Sequence, residues 1–128
     1  MTPSRPDVQQ LVRRLYALRV AGDLEPLCGL FRRDAHLRIA GSSDGNPIAL
    51  VASGATDIHS WLAILVKTFR LASYQELSVI IDGSRAAVHW RADIQSRITG
   101  AVSPTELVDL IEIDSGGISS YVEFFVPR

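Results

Sequence analysis

The hydrophobic period of this chain changes for the last time near Ser73, and that change limits its fold more than any other feature. Up to Phe69 the apolar residues recur mainly every three or four positions, as on one face of an amphipathic helix. From Ser73 onward the spacing is that of strands, in four runs over residues 73–82, 85–99, 105–114 and 118–126. Asp82-Gly83 and Ser115-Gly116-Gly117 read as hairpin turns, and Gly100 with Pro104 breaks the middle connection. Helices first and an antiparallel meander afterwards define an α+β fold.

Within the first half, Val8, Leu11, Val12, Leu15 and Leu18 form one helical stripe, with Arg13, Arg14 and Arg19 placed off it. Ser4-Arg5-Pro6-Asp7 fits a capping box, and Gly22 ends the helix because it adopts the left-handed conformation without strain. Asp23 caps a shorter helix over residues 24–31. Ala35, Leu37 and Ile39 alternate with His36 and Arg38, a half-buried strand whose polar side faces solvent. Residues 41–47 read as a loop and 47–52 as a short buried strand. A second long helix begins near Ser53 or Thr56, with Ile58, Leu62, Leu65, Val66 and Phe69 on its apolar face and Trp61 beside it.

Composition narrows the class. A length of 128 residues suits one domain spanning 1–128, and 47% hydrophobic content suffices for a packed core. With 13 basic against 14 acidic side chains, the chain lacks the basic excess of a nucleic-acid binder. The single cysteine, Cys28, excludes an intrachain disulfide framework. The strongly apolar run 61–66 is far short of a membrane span, and Met1-Thr2-Pro3-Ser4-Arg5-Pro6 lacks the apolar core of a signal peptide. The expectation is a cytoplasmic domain without membrane or nucleic-acid partners. There is no Gly-rich phosphate loop, no His-Glu-x-x-His and no Gly-x-Ser-x-Gly, and the three histidines show no metal-binding spacing.

The order helix, short helix, strand, loop, helix and four long strands resembles the nuclear transport factor 2-like superfamily, which includes ketosteroid isomerases and SnoaL-like polyketide cyclases. Three stretches carry the resemblance: Ala21-Gly22-Asp23-Leu24-Glu25-Pro26-Leu27, Leu30-Phe31-Arg32-Arg33-Asp34-Ala35, and Ile113-Asp114-Ser115-Gly116-Gly117-Ile118 followed by Tyr121-Val122-Glu123-Phe124-Phe125. The resemblance implies a cone: N-terminal helices packed in the concave face of a strongly curved, mostly antiparallel sheet, with the ligand pocket inside. It also implies a homodimer through the outer sheet face. Such folds host many chemistries, so function has to be argued from the site.

Strand parity proposes that site, because residues two apart share a face. Aligned with ketosteroid isomerase, Asp109 falls where that family places its oxyanion-hole carboxylic acid. The same register turns Tyr121, Glu123 and Phe125 inward. On the preceding strand it turns His89, Arg91 and Asp93 inward, with Val88, Trp90 and Ala92 outward. Asp109 lies in the apolar run Leu107-Val108-Asp109-Leu110-Ile111, where lost hydration raises a carboxyl pKa and suits it to act as an acid or a neutral donor. His89 is the natural proton carrier. Arg91, Glu123 and Tyr121 are placed to orient a ligand, and Trp61, Asp93 and Phe125 to line the pocket. Tyr16 resembles the isomerase tyrosine but sits one position away from it. The position of that family's proton-abstracting aspartate is held by Ile39, which disfavours steroid double-bond migration.

Each residue also has a structural reading: Asp109 or Glu123 paired with Arg91, His89 on the surface, Tyr16 in the core or at the rim. Two functions remain in view. The first is a cofactor-free acid–base isomerase or cyclase for a small apolar or aromatic carbonyl compound. The second is a non-catalytic ligand-binding or dimeric module of the same fold.

Overall fold

The computed structural model describes residues 3–43 and 45–128. Helix α1 spans Arg5–Ala21, α2 Leu24–Cys28 and α3 Ala55–Thr68. The strands are β1 Phe31–Ser43, β2 Asn46–Ser53, β3 Phe69–Asp82, β4 Arg85–Ser96, β5 Val102–Asp114 and β6 Gly117–Pro127. They form one curved, unclosed sheet in the order β2-β1-β6-β5-β4-β3. The β1–β6 pair is parallel and every other pair is antiparallel. The helices pack into its concave side, α1 against β3 and β4, α3 against β1, β2 and β3.

Helix α1 starts where the sequence dictates. The Ser4 hydroxyl accepts from the Asp7 N–H at 3.3 Å, and Gly22 at φ 70° closes the last turn with its N–H on the Arg19 carbonyl. Its buried residues are Val8, Val12, Leu15 and Tyr16. The stripe continues to position 19, one helical turn beyond Leu15 and Tyr16, so Arg19 lies on the inward face and not off it. Helix α2 is shorter than expected, because Gly29 follows it and strand pairing begins at Phe31. Asp23 is its N-cap, but its side chain makes no capping bond.

The expected 41–47 loop is mostly strand: β1 runs on to Ser43 and β2 resumes at Asn46, with Asp44 outside the described residues. Strand β2 is an exposed edge, not a buried strand, and Pro47 is tolerated there because one side of the strand needs no partner. Phe69, assigned to the apolar face of α3, is instead the first residue of β3. Gly41 is required by close approach, since a Cβ there would stand 2.4 Å from the Phe125 carbonyl and 2.6 Å from its ring.

The β4 register corrects the sequence reading. Val88 stands opposite Asp109 and Trp90 opposite Leu107, and directly opposed residues share a face. Ala86, Val88, Trp90 and Ala92 are therefore inside with Asp109, and all four are buried. His89, Arg91 and Asp93 lie on the outer face. A one-residue slip exchanges the two sets, and the apolar set is the one that a buried face selects. Val88 and Trp90, expected to point outward, are thus inside, whereas Val108, Leu110 and Phe124 are exposed on the outer face.

Strand β3 holds two irregularities, one of them between Glu76 and Ser78. Its pairing with β4 also shifts between Ala72 and Gln75, and Ser73 adopts φ 54°. Left-handed backbone is costly for a residue with a Cβ, and here it forms a bulge that re-aims the next side chain, Tyr74. Among the described residues, no helix is long and apolar enough to cross a membrane.

Candidate active site

Asp109 occupies the middle of β5, between Leu107 and Ile111 on the concave face, and is fully buried. Its surroundings come from three elements. The Tyr16 hydroxyl, from α1, donates to Oδ2. The Tyr121 hydroxyl, from β6, donates to the same oxygen at 2.5 Å, and the Trp90 indole N–H, from β4, at 2.9 Å. Oδ1 is also buried, but receives no donor among the described residues.

Glu123 is the cross-strand partner of Asp109 and is nearly as buried. Arg19 reaches it from the last turn of α1, Nη1 donating to Oε2 at 2.5 Å and to the Tyr121 hydroxyl at 2.7 Å. The same nitrogen is 3.7 Å from Asp109 Oδ2. The guanidinium also lies over the Trp90 ring, 5.1 Å from its centroid, a cation–π contact in a desolvated setting. The Tyr121 hydroxyl is 3.2 Å from Glu123 Oε2, so it stands between the two carboxyl groups.

One cation thus faces two buried carboxyls, and a single proton neutralises the group. Burial and the neighbouring Glu123 charge push Asp109 well above the ordinary carboxylate range, with Arg19 opposing. Burial also acts to raise Glu123, but Arg19 and hydrogen bonds from Asp109, Arg19 and Tyr121 outweigh it and hold Glu123 below its ordinary value. The proton therefore resides on Asp109, and Glu123 pairs with Arg19 as the anion. Burial, with the nearby Tyr121 and Asp109, keeps Tyr16 a protonated donor; burial does the same for Tyr121.

The structure brings together Asp109, Tyr16, Tyr121 and Glu123 from the sequence-derived set. It does not bring the others. His89 bonds Glu106 at 2.8 Å on the outer face, Arg91 bonds Gln75 at 2.8 Å, and Asp93 lies 3.5 Å from Arg128. Trp61 and Phe125 are half-buried against the core, without a bond to Asp109. Arg19, Trp90 and Tyr74 were missed. Arg19 follows from extending the α1 stripe, and Trp90 from giving β4 its apolar parity. Tyr74 depends on a bulge without an equivalent sequence signal.

Tyr74 stacks on Tyr16, with ring centroids 5.6 Å apart and planes 26° apart, and both rings contact Trp90. Outside this trio a cleft of about 440 Å³ opens between α1 and β3, lined by Arg13, Tyr16, Ala17, Val20, Tyr74 and Glu76. Asp109 is not among its lining residues and lies one hydrogen bond behind Tyr16. Among the described residues, no three His, Cys, Asp or Glu side chains group to hold a metal ion.

A family model for the SnoaL-like domain matches residues 12–121. The chain belongs to the SnoaL-like domain family. Solved structures agree on the fold. A candidate isomerase from Bacillus subtilis superposes with a TM-score of 0.79 at 18% identity, over 94% of this chain and 86% of that one. A nuclear transport factor 2-like protein from Burkholderia xenovorans gives 0.78 at 19% identity, over 95% and 91%. A candidate SnoaL-like polyketide cyclase from Mesorhizobium loti gives 0.65 at 16% identity, over 91% and 97%. A comparison with curated proteins returned no match.

The pairing of charges sets a pH dependence. Asp109 has a folded pKa raised above its unfolded value near 3.8, so its contribution to stability is complete below that value and falls as pH rises toward the folded pKa. Glu123 has the opposite sign, and its contribution is lost as pH falls through its lowered folded pKa. Asp109→Asn is neutral throughout and should remove only the first effect. Relative to wild type, the variant should gain about 1.4 kcal/mol per pH unit inside the Asp109 window, read by urea unfolding at a series of pH values. A pH-independent difference would place the proton elsewhere.

Proposed function

We propose that this chain binds a small apolar carbonyl compound and moves protons on it without a cofactor, in an isomerase- or cyclase-type reaction. Asp109 is the acid, Tyr16, Tyr121 and Trp90 fix its orientation, and the Arg19–Glu123 pair holds its proton in place. The observation that carries this reading is the setting of Asp109: fully buried, held by three donors at Oδ2, without a donor at Oδ1, and beside a Glu123 already paired with Arg19. A neutral carboxylic acid in an apolar setting is a strong donor to a ligand oxygen that gains negative charge. In that role Asp109 donates to the ligand oxygen while the carbon-bound proton passes to solvent water and is returned from it at the new position, because Glu123, the neighbouring anion, is held by Arg19.

A second reading, a non-catalytic ligand-binding or dimeric module, is favoured by one specific observation. Arg19, Glu123, Tyr121 and the Oδ2 oxygen of Asp109 already bond one another, and Asp109 lies outside the cleft lining. A thermal-shift screen with small carbonyl, aromatic and polyketide-like compounds separates the two readings, since a bound ligand raises the melting temperature by mass action. Hits that are chemically converted, with turnover lowered about a hundredfold or more in Asp109→Asn, support acid–base catalysis. Hits that bind and remain unchanged support the module. Equal turnover and affinity in the variant would remove Asp109 from the site.

The same reading includes a homodimer through the outer sheet face. Val108, Leu110 and Phe124 are exposed there beside half-buried Val122, an apolar patch on adjacent strands. Sedimentation velocity should return a two-chain mass for the wild type and a one-chain mass for Leu110→Glu. A one-chain wild type would overturn the dimer.

A further inference from the structure

We propose that the cleft between α1 and β3 is a ligand subsite for a neutral, planar, conjugated carbonyl compound, with Tyr74 as its stacking wall and specificity-determining residue. The inference rests on the acid–base reading for the carbonyl and on separate geometry for the planar ring.

Four observations converge on Tyr74. Of the two register shifts in this edge strand, the one between Ala72 and Gln75, with the left-handed Ser73, falls next to this side chain. Bulges of this kind are characteristic of places where a side chain is redirected toward a site. The redirected ring stacks on Tyr16, the residue that donates to Asp109. Tyr74 also packs against Trp90, a second donor to Asp109, with centroids 5.6 Å apart. Finally, both tyrosines line the same cleft, so a molecule lying there meets an aromatic wall that is in direct contact with the cage around Asp109.

The cleft also describes its occupant. About 440 Å³ is the space of a compound with one or two rings. Ala17 and Val20 supply the apolar side from α1, and Arg13 and Glu76 place one charge of each sign at the rim. Opposite rim charges cancel and select no net ligand charge. The aromatic wall prefers a flat ring over a puckered one of the same size, because ring–ring contacts gain beyond area burial. A carbonyl at the inner end of such a ring points toward Tyr16 and the buried acid behind it.

The test measures the affinity of methyl naphthyl ketone and of methyl cyclohexyl ketone by calorimetry, with the fold of each variant checked by circular dichroism. Wild type and Tyr74→Phe should bind the naphthyl ketone about fivefold more tightly than the cyclohexyl ketone, the worth of one good ring–ring contact. Tyr74→Leu should lose that preference. Ala17→Trp, at an exposed helix position that leaves the core untouched, should fill the cleft and abolish binding of both ketones, and it serves if Tyr74→Leu does not fold. Asp109→Asn should weaken both ketones and keep the planar preference. If Asp109→Asn binds both ketones as wild type does, the acid–base reading fails while the subsite stands. A preference that survives Tyr74→Leu, undiminished binding in Ala17→Trp, or a wild type that binds neither ketone would overturn the subsite.

Discussion

Two buried carboxyls facing each other across β5 and β6 can coexist only if their charge is shared with a cation and a proton. Arg19 provides the cation, and it also ties the last turn of α1 to the middle of the sheet. Losing one member of a buried pair costs about 3–5 kcal/mol, a large share of the roughly 5–15 kcal/mol that holds a domain folded. The position of α1, the orientation of Tyr121 and the neutrality of Asp109 are therefore set by one interaction. The docking of the helix on the sheet and the chemistry of the site are the same constraint.

Much of this was legible in the sequence. The α1 cap at Ser4, its stop at Gly22 and the four late strands follow from local chemistry and alternation, and the structure reproduces them within a few residues. Asp109, Tyr121 and Glu123 were placed together by strand parity under the alignment with ketosteroid isomerase. The turn alone would not have done it, because the β5–β6 pairing shifts by one residue between Glu112 and Ile113, and only beyond that shift does Asp109 stand opposite Glu123. Strand β4 is connected to β5 by the longer segment 97–101, which leaves register open, and the polar set was assigned inward. The hydrophobic alternation of Ala86, Val88, Trp90 and Ala92 carried the correct answer. Charged residues attract functional readings, and here that attraction competed with a plainer packing rule.

Arg19 illustrates a different limit. A long, charged side chain on an apolar stripe looks like a residue that merely snorkels outward. Only the position of Glu123, more than a hundred residues later in the chain, gives it a reason to turn inward. The Tyr74 bulge was hidden for a related reason: nothing in Ala72-Ser73-Tyr74-Gln75 announces left-handed backbone at a serine. Both features are tertiary in origin, and both contact the tyrosine–aspartate cage. The SnoaL-like family fixes the cone, but these side chains decide what the cone of this chain can do.

The site depends on one protonation state, Asp109 neutral at physiological pH beside an ionised Glu123. Its most direct test is carbon-13 NMR of the aspartate side-chain carboxyls across a pH titration, with Asp109 assigned by its absence in Asp109→Asn. The Asp109 carboxyl carbon should keep the chemical shift of a protonated acid at neutral pH, after the exposed aspartates have ionised. An Asp109 signal that titrates together with those exposed aspartates would mean that Asp109 is ionised at neutral pH and is not the acid of this site.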